Sequence, residues 1–161
     1  MKLEKAIFAC GCFWGAQHQF ERAKGVIRSE VGYIGGDKEN PTYQEVKAHT
    51  TGHAEATLVE FDAEKTTYTD LCKLFFEIHD PAQTDGQGPD IGPQYRSEIF
   101  YLNEAQKQQA EAVIALLREK GYEVNTRLTP ATVFWPAEDY HQHYYDKTGG
   151  EPYCHIRVRK F

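Results

Sequence analysis

Apolar residues run unbroken from Ala6 to Ala9, as in a buried strand, and the run stops at Gly11. Beyond it Phe13, Ala16, Phe20 and Ala23 recur at helical spacing until Gly25. That pattern puts Cys12 at a helix N-terminus. Val26 to Tyr33 reads as a second strand, and Glu55 to Phe61 as a third with alternating faces. Thr67 with Asp70 three residues on resembles a capping box, and Leu71, Leu74, Phe75 and Ile78 then share one helical face that should end before Pro81. Ser97 to Leu102 gives a fourth strand, and Asn103 caps a helix carrying Ala110, Val113, Ile114 and Leu117 up to Gly121. Tyr122, Val124, Thr126 and Leu128 alternate as a fifth strand. Strand, helix, strand, strand, helix, strand is the split βαβ order, so the expected fold is α+β: a two-layer sandwich of ferredoxin-like type with helices on one sheet face.

Two connections exceed what packing needs, roughly residues 34 to 54 and 79 to 96. Long loops in compact domains tend to carry function. The first holds Asn40-Pro41-Thr42-Tyr43 and ends in Gly52-His53-Ala54-Glu55; the second holds His79-Asp80-Pro81-Ala82-Gln83 and Gln94-Tyr95-Arg96. After Pro136 the chain predicts a short His- and Tyr-rich helix, Tyr140 to Tyr145, then a Gly149-Gly150 break and Cys154. Residues 146–161 are expected to form an irregular, mobile tail on a single domain spanning 1–161.

The 161 residues suffice for one hydrophobic core. A net charge of -6 with no local Lys/Arg cluster argues against a nucleic-acid partner, and no apolar run reaches membrane-spanning length or looks like a secretory leader. The expected compartment is therefore the cytoplasm, where the four cysteines rest as thiols and a disulfide would be transient. An aromatic share of 13% suits an aromatic-lined pocket.

Gly11-Cys12-Phe13-Trp14-Gly15 joins a sharp bend to a cysteine whose thiolate the first helical turn favours, with two aromatic surfaces beside the sulfur. Two readings of Cys12 stand here: a nucleophile, or a small buried residue filling the corner. Cys10 reads as structural, with a redox part in a Cys10-Gly11-Cys12 pair as the lesser alternative, and Cys72 as a helix-core thiol. Cys154 could sit idle or swing onto an oxidised Cys12. Taken singly, Glu55 reads as an exposed strand residue and Tyr43 and Tyr95 as loop anchors.

Taken together, the five motif segments quoted above, with Gly32-Tyr33-Ile34-Gly35-Gly36 as a sixth, resemble the peptide methionine sulfoxide reductases of the A type from about Ile7 to Cys154. The resemblance implies Cys12 as nucleophile, Phe13 and Trp14 as walls around the substrate methyl, and Glu55, Tyr43 and Tyr95 as hydrogen-bonding partners of the sulfoxide oxygen. Asp90 matches a further position near the site, and Tyr153-Cys154 the recycling cysteine. It also implies a preference for the S epimer, free or in a peptide, thioredoxin as the usual external dithiol and no bound cofactor. A sulfoxide sulfur is a weak electrophile, so Glu55 would have to be protonated, which burial favours. Since no cysteine follows Cys154 in this sequence, a two-thiol relay in a monomer is expected. His53 is expected to tether its loop through its ring nitrogens.

Three rival readings are a metal-binding protein using Cys10, Cys12, His141 and His143, a general disulfide oxidoreductase, and a noncatalytic module using the Phe13/Trp14 pocket. The metal reading suffers from the single residue between Cys10 and Cys12, and the oxidoreductase from the absence of a two-residue cysteine spacing.

Overall fold

The computed structural model describes residues 1–150 and 155–161. In chain order its elements are β1 (Leu3–Cys10), α1 (Phe13–Glu21), β2 (Val26–Ile34), α2 (Tyr43–Lys47), β3 (Ala54–Asp62), α3 (Tyr68–Glu77), β4 (Gly86–Gln87), β5 (Asp90–Ile91), β6 (Ser97–Tyr101), α4 (Glu104–Glu119), β7 (Arg127–Pro130), β8 (Trp135–Pro136) and α5 (Tyr144–Thr148). The caps read from the sequence form: the Thr67 hydroxyl accepts from Asp70 N at 3.0 Å and Asn103 Oδ1 from Gln106 N at 2.9 Å.

The main sheet runs β7-β6-β1-β3-β2-β8. β3 lies antiparallel between β1 and β2, and β1 antiparallel between β3 and β6, which is the expected ferredoxin-like core. Two further strands extend it, β7 parallel to β6 across the α4 crossover and β8 antiparallel to β2.

Period-2 alternation sorts the sheet faces. Ala6, Phe8 and Cys10 of β1 meet Ala16 and Phe20 of α1, Phe75 of α3 and Leu117 of α4, so three helices share one face. Ile7 and Ala9 point the other way, to Ile34, Ala54 and Phe100, where Ala131 and Phe134 cover them. That cover corrects the expectation for β3, which is buried along almost its whole length instead of alternating.

The fifth strand begins later than predicted, at Arg127. The alternation at 122–126 serves a different partner: Asn125 N donates to Pro81 O at 2.8 Å and Asn125 Nδ2 to Ala82 O at 2.8 Å, so this segment pairs with the 79–96 loop. The helix expected at Tyr140 to Tyr145 divides into a 3-10 turn, Asp139–His141, and α5. His143 between them takes a φ of 54°, its N–H given to Gln17 Oε1 at 2.7 Å. Residues 155–161 carry no regular element but are tied to the end of α3, with Val158 N donating to Glu77 O and Lys160 N to a Glu77 carboxylate oxygen. Among the described residues no helix is long and apolar enough to cross a membrane.

Candidate active site

The antiparallel order fixes where the sequence motifs meet. The pairs Ile34↔Ala54 and Cys10↔Ser97 set the end of β2 beside the start of β3, and the end of β1 beside the start of β6. All four ends lie at one edge of the sheet. Cys12 leaves β1 there, Glu55 opens β3, Tyr95 precedes β6, and Tyr43 sits in the β2–β3 connection.

Gly11 adopts a φ of 96°, a backbone that side chains disfavour, and this turns the chain from strand into α1 with Cys12 as its N-cap. A Cβ on Gly11 would come within 2.7 Å of Gln87, which packs beneath the corner. Gln87 in turn clamps the second long loop, accepting from Asp80 N at 2.6 Å and donating to Asp80 O at 2.8 Å. Cys12 is only 6% exposed, and the helix N-terminus there supplies positive potential that favours a thiolate.

Glu55 is buried, contrary to its reading as a lone exposed strand residue. Phe13 N donates to Glu55 Oε1 at 3.3 Å, whereas Oε2 finds no hydrogen-bond partner among the described residues. Burial first, and the neighbouring Cys12 second, hold this carboxyl well above the usual carboxylate range; the Phe13 N–H opposes them without prevailing. A neutral Glu55 that accepts on Oε1 carries its proton on Oε2.

Tyr43 is placed by its neighbour: Thr42 and Glu45 form a reciprocal capping box, making Tyr43 the first residue of α2. Burial, then Glu55 and Cys12, push its hydroxyl up to about 12. Tyr95, at the end of the 3-10 turn Pro93–Tyr95, is raised first by burial and then by Glu55, with Tyr43 and Cys12 behind them. Both remain donors at any ordinary pH. Asp90, half-buried on the β4–β5 hairpin, is close enough for its charge to raise Glu55, Tyr43 and Tyr95.

The two aromatic neighbours of Cys12 differ in exposure. Phe13, 1% exposed, lies underneath with Val31, Val46 and Tyr33, the last at 5.7 Å between ring centroids. Trp14 is the open wall, stacked on Tyr144 at 3.8 Å and fixed by Nε1 donating to His141 Nδ1 at 2.9 Å. Cys154 lies outside the described residues.

Two supports escaped the sequence reading. Glu138 accepts from Tyr33 OH at 2.9 Å and from Tyr43 N at 3.1 Å, so it seats both rings. His141, fully buried and held below the ordinary histidine range by that burial, packs on Tyr43 at 4.3 Å. The His/Tyr clustering near 140 was visible, but its target was not. His53 holds its loop by packing against Gly36, and its Nδ1 has no partner among the described residues, contrary to the expected tether. His79 is scaffold: Nδ1 meets Phe75 O at 2.5 Å and Nε2 meets Ser97 Oγ at 2.7 Å.

The metal-binding alternative loses its ligand set. Cys10 packs in the helix-side core, His141 accepts from Trp14, and His143 pairs with Glu21. Among the described residues the cluster with ligand spacing is Glu21, His143 and Asp146, without a cysteine.

Comparison with known proteins agrees with the geometry. Residues 4–161 match the family profile described as peptide methionine sulfoxide reductase. The chain is 44% identical over 156 residues to "Peptide methionine sulfoxide reductase MsrA" of Acinetobacter baumannii (strain AYE), covering 97% of this chain and 90% of that protein. A Geobacter sulfurreducens protein of the same description is 48% identical over 151 residues, with 92% and 93% covered. In structure the chain is similar to reduced Mxr1 from Saccharomyces cerevisiae, at a TM-score of 0.92 and 31% identity over 98% of this chain and 93% of that one. Mxr1 in complex with Trx2 shares the fold at a TM-score of 0.66 and 23% identity, with 98% and 91% covered.

Proposed function

The chain belongs to the peptide methionine sulfoxide reductase family, and from that premise we propose how its residues carry the reaction. It is an oxidoreductase that reduces methionine sulfoxide to methionine, a repair reaction. The Cys12 thiolate attacks the sulfoxide sulfur while the Glu55 proton on Oε2 passes to the sulfoxide oxygen, which Tyr43 and Tyr95 also bond. The sulfur–oxygen bond of the substrate breaks, and the oxygen ends on Cys12 as a sulfenic acid. Net, one thiol and one sulfoxide give one sulfenic acid and one thioether, the two electrons coming from the Cys12 sulfur.

The Cys154 thiol then attacks the sulfenyl sulfur, a disulfide forms, and water leaves. An external dithiol of thioredoxin type restores both thiols by exchange; the solved complex of the yeast relative Mxr1 with Trx2 supports that class of reductant. The methyl group against Trp14, the oxygen against Glu55 and the approach of the Cys12 sulfur fix three directions around the sulfoxide sulfur and leave one place for the remaining substituent, which selects one epimer, the S form by family resemblance. The substrate is free or protein-bound, the enzyme a monomer, and its compartment the cytoplasm, where resting thiols stay reduced.

One observation carries this reading: a buried, neutral carboxyl beside Cys12 with an unpartnered oxygen. Such a group is costly unless a ligand completes it, and a sulfoxide oxygen is an acceptor of the required kind. The test is a reductant-free burst. One methionine per chain and a Cys12–Cys154 disulfide are expected, and product formed at undiminished rate by a Cys12→Ser variant would refute the mechanism.

A further inference from the structure

His155 has 0% of its surface exposed, although the next four residues, 156–159, are all exposed. Burying an imidazole is unfavourable without partners, and His155 is held by both its ring and its main chain. Nε2 lies 2.6 Å from Cys10 O; a carbonyl only accepts, so Nε2 carries the proton and donates it. The main-chain oxygen of His155 accepts from Gln19 Nε2 at 2.5 Å. The ring fills the space left by the missing side chain of Gly15, where a Cβ would collide with Nδ1.

These grips have a common address. Cys10 ends β1, and Gly15 and Gln19 belong to α1, so the residues that hold His155 flank Cys12 on both sides. None of them takes part in the sulfoxide chemistry derived above. The residue bonded to the N-terminal side of His155 is Cys154, and adjacent Cα atoms are about 3.8 Å apart.

We propose that His155 is a positioning residue for the recycling half of the reaction: its hydrogen bond to the Cys10 carbonyl pins the chain next to Cys154 onto the corner that carries Cys12. This rests on the reading of Cys154 as the resolving thiol. A disulfide requires Cα atoms within about 7 Å, and a tether anchored at the corner raises the effective concentration of one thiol at the other. The next anchors after residue 155 are Arg157, whose guanidinium donates to the Glu77 carboxylate at 2.8 Å, and Val158, whose N–H donates to Glu77 O at the C-terminal end of α3. Without the His155 grip the first anchor on the C-terminal side of Cys154 would be two residues further along the chain, on α3 and not on the corner.

The experiment separates the two half-reactions in the full chain by quench-flow: methionine released per chain in the first turnover, and the Cys12–Cys154 disulfide by peptide mapping. In His155→Ala the first is expected within about twofold of the parent, and disulfide formation slowed by about tenfold or more. Multiple-turnover kcat with a thioredoxin-type reductant should fall with it, while single-turnover dependence on substrate concentration stays put. His155→Gln, whose amide can still donate to Cys10 O, should recover much of the rate, and Gln19→Ala should show a smaller slowing of the same step. Those two variants carry the test if His155→Ala does not fold. Disulfide formation at the parent rate in all folded variants would overturn the proposal, as would equal slowing of both half-reactions with a shifted pH profile of Cys12 alkylation, which marks a merely distorted corner. A parent protein that releases no methionine refutes the function itself instead.

Discussion

Cys12 and Cys72 are both buried, at 6% and 0% exposure, yet their surroundings differ. Cys72 lies mid-helix in α3, where no free N–H groups face it, and burial pushes its thiol up to about 12. Cys12 lies at the mouth of α1, beside an acid whose carboxyl burial pushes well above the usual range. The polar neighbours repeat the contrast. His79 near the end of α3 is bonded at both ring nitrogens and has nothing left to offer, whereas Glu55 keeps one oxygen open. Burial by itself therefore makes a thiol inert. In the proposed mechanism, activation comes from placing the thiol at a helix end with a buried carboxyl, one oxygen of which has no partner among the described residues, next to it.

The largest effect should come from exchanging the sulfurs. Cys12→Ser is expected to reduce turnover to background with little change in folding, while Cys72→Ala keeps full activity and loses about 1–2 kcal/mol of stability to the small cavity left behind. Chemical denaturation and a methionine-release assay distinguish the two. If Cys72→Ala were the inactive protein, the contrast would be inverted.

Glu55→Gln comes next, with a rate loss of about 10²–10⁴-fold, the usual contribution of a positioned acid. The sign of its pH dependence follows from the raised pKa: the active form is protonated, so activity falls as pH rises through the folded value, and the Gln variant should lose that alkaline limb. The same shift predicts a gain in stability. Unfolded Glu55 ionises in the ordinary carboxyl range while the folded chain holds its proton, so stability declines as pH rises from that range to the folded value, and Gln removes the decline. A melting temperature at pH 8 that drops in Glu55→Gln would contradict a buried neutral acid.

His79→Gln should do the reverse, leaving the rate intact and costing about 1–3 kcal/mol in lost hydrogen bonding. Burial pushes His79 down to about 3 from 6.5. The unfolded chain takes up the proton first, so its stabilising part is lost as pH falls from the ordinary histidine range toward 3, and the variant should flatten that acid limb of the stability profile. The smallest changes are expected from Tyr43→Phe and Tyr95→Phe, each about tenfold in rate, as for one hydrogen bond of about 1.4 kcal/mol in the transition state.

Much of this was legible in local pattern. The Gly11 bend and the apolar spacing that follows it place Cys12 at a helix start, and the Thr42 cap that orients Tyr43 needs only neighbours along the chain. The strand at 122–126 was misread because its alternation answers to Pro81 and Ala82, far away in sequence. Glu138, His141 and His155 were not assigned to the site for a related reason. Each acts through a contact more than 90 residues distant, with Tyr43, Trp14 and Cys10 respectively.

The sequence by itself determined the strand and helix order of the split βαβ core, the cysteine at the start of α1 and the family motifs, because periodicity and capping act over a few residues. Only the tertiary structure decided that Glu55 is buried with its carboxyl pushed up, that Trp14 is half-buried where Phe13 is fully buried, and that His155 is held at the corner that carries Cys12. Those facts depend on which distant surfaces exclude water from a given atom, and desolvation is a property of the assembled packing that no local pattern encodes.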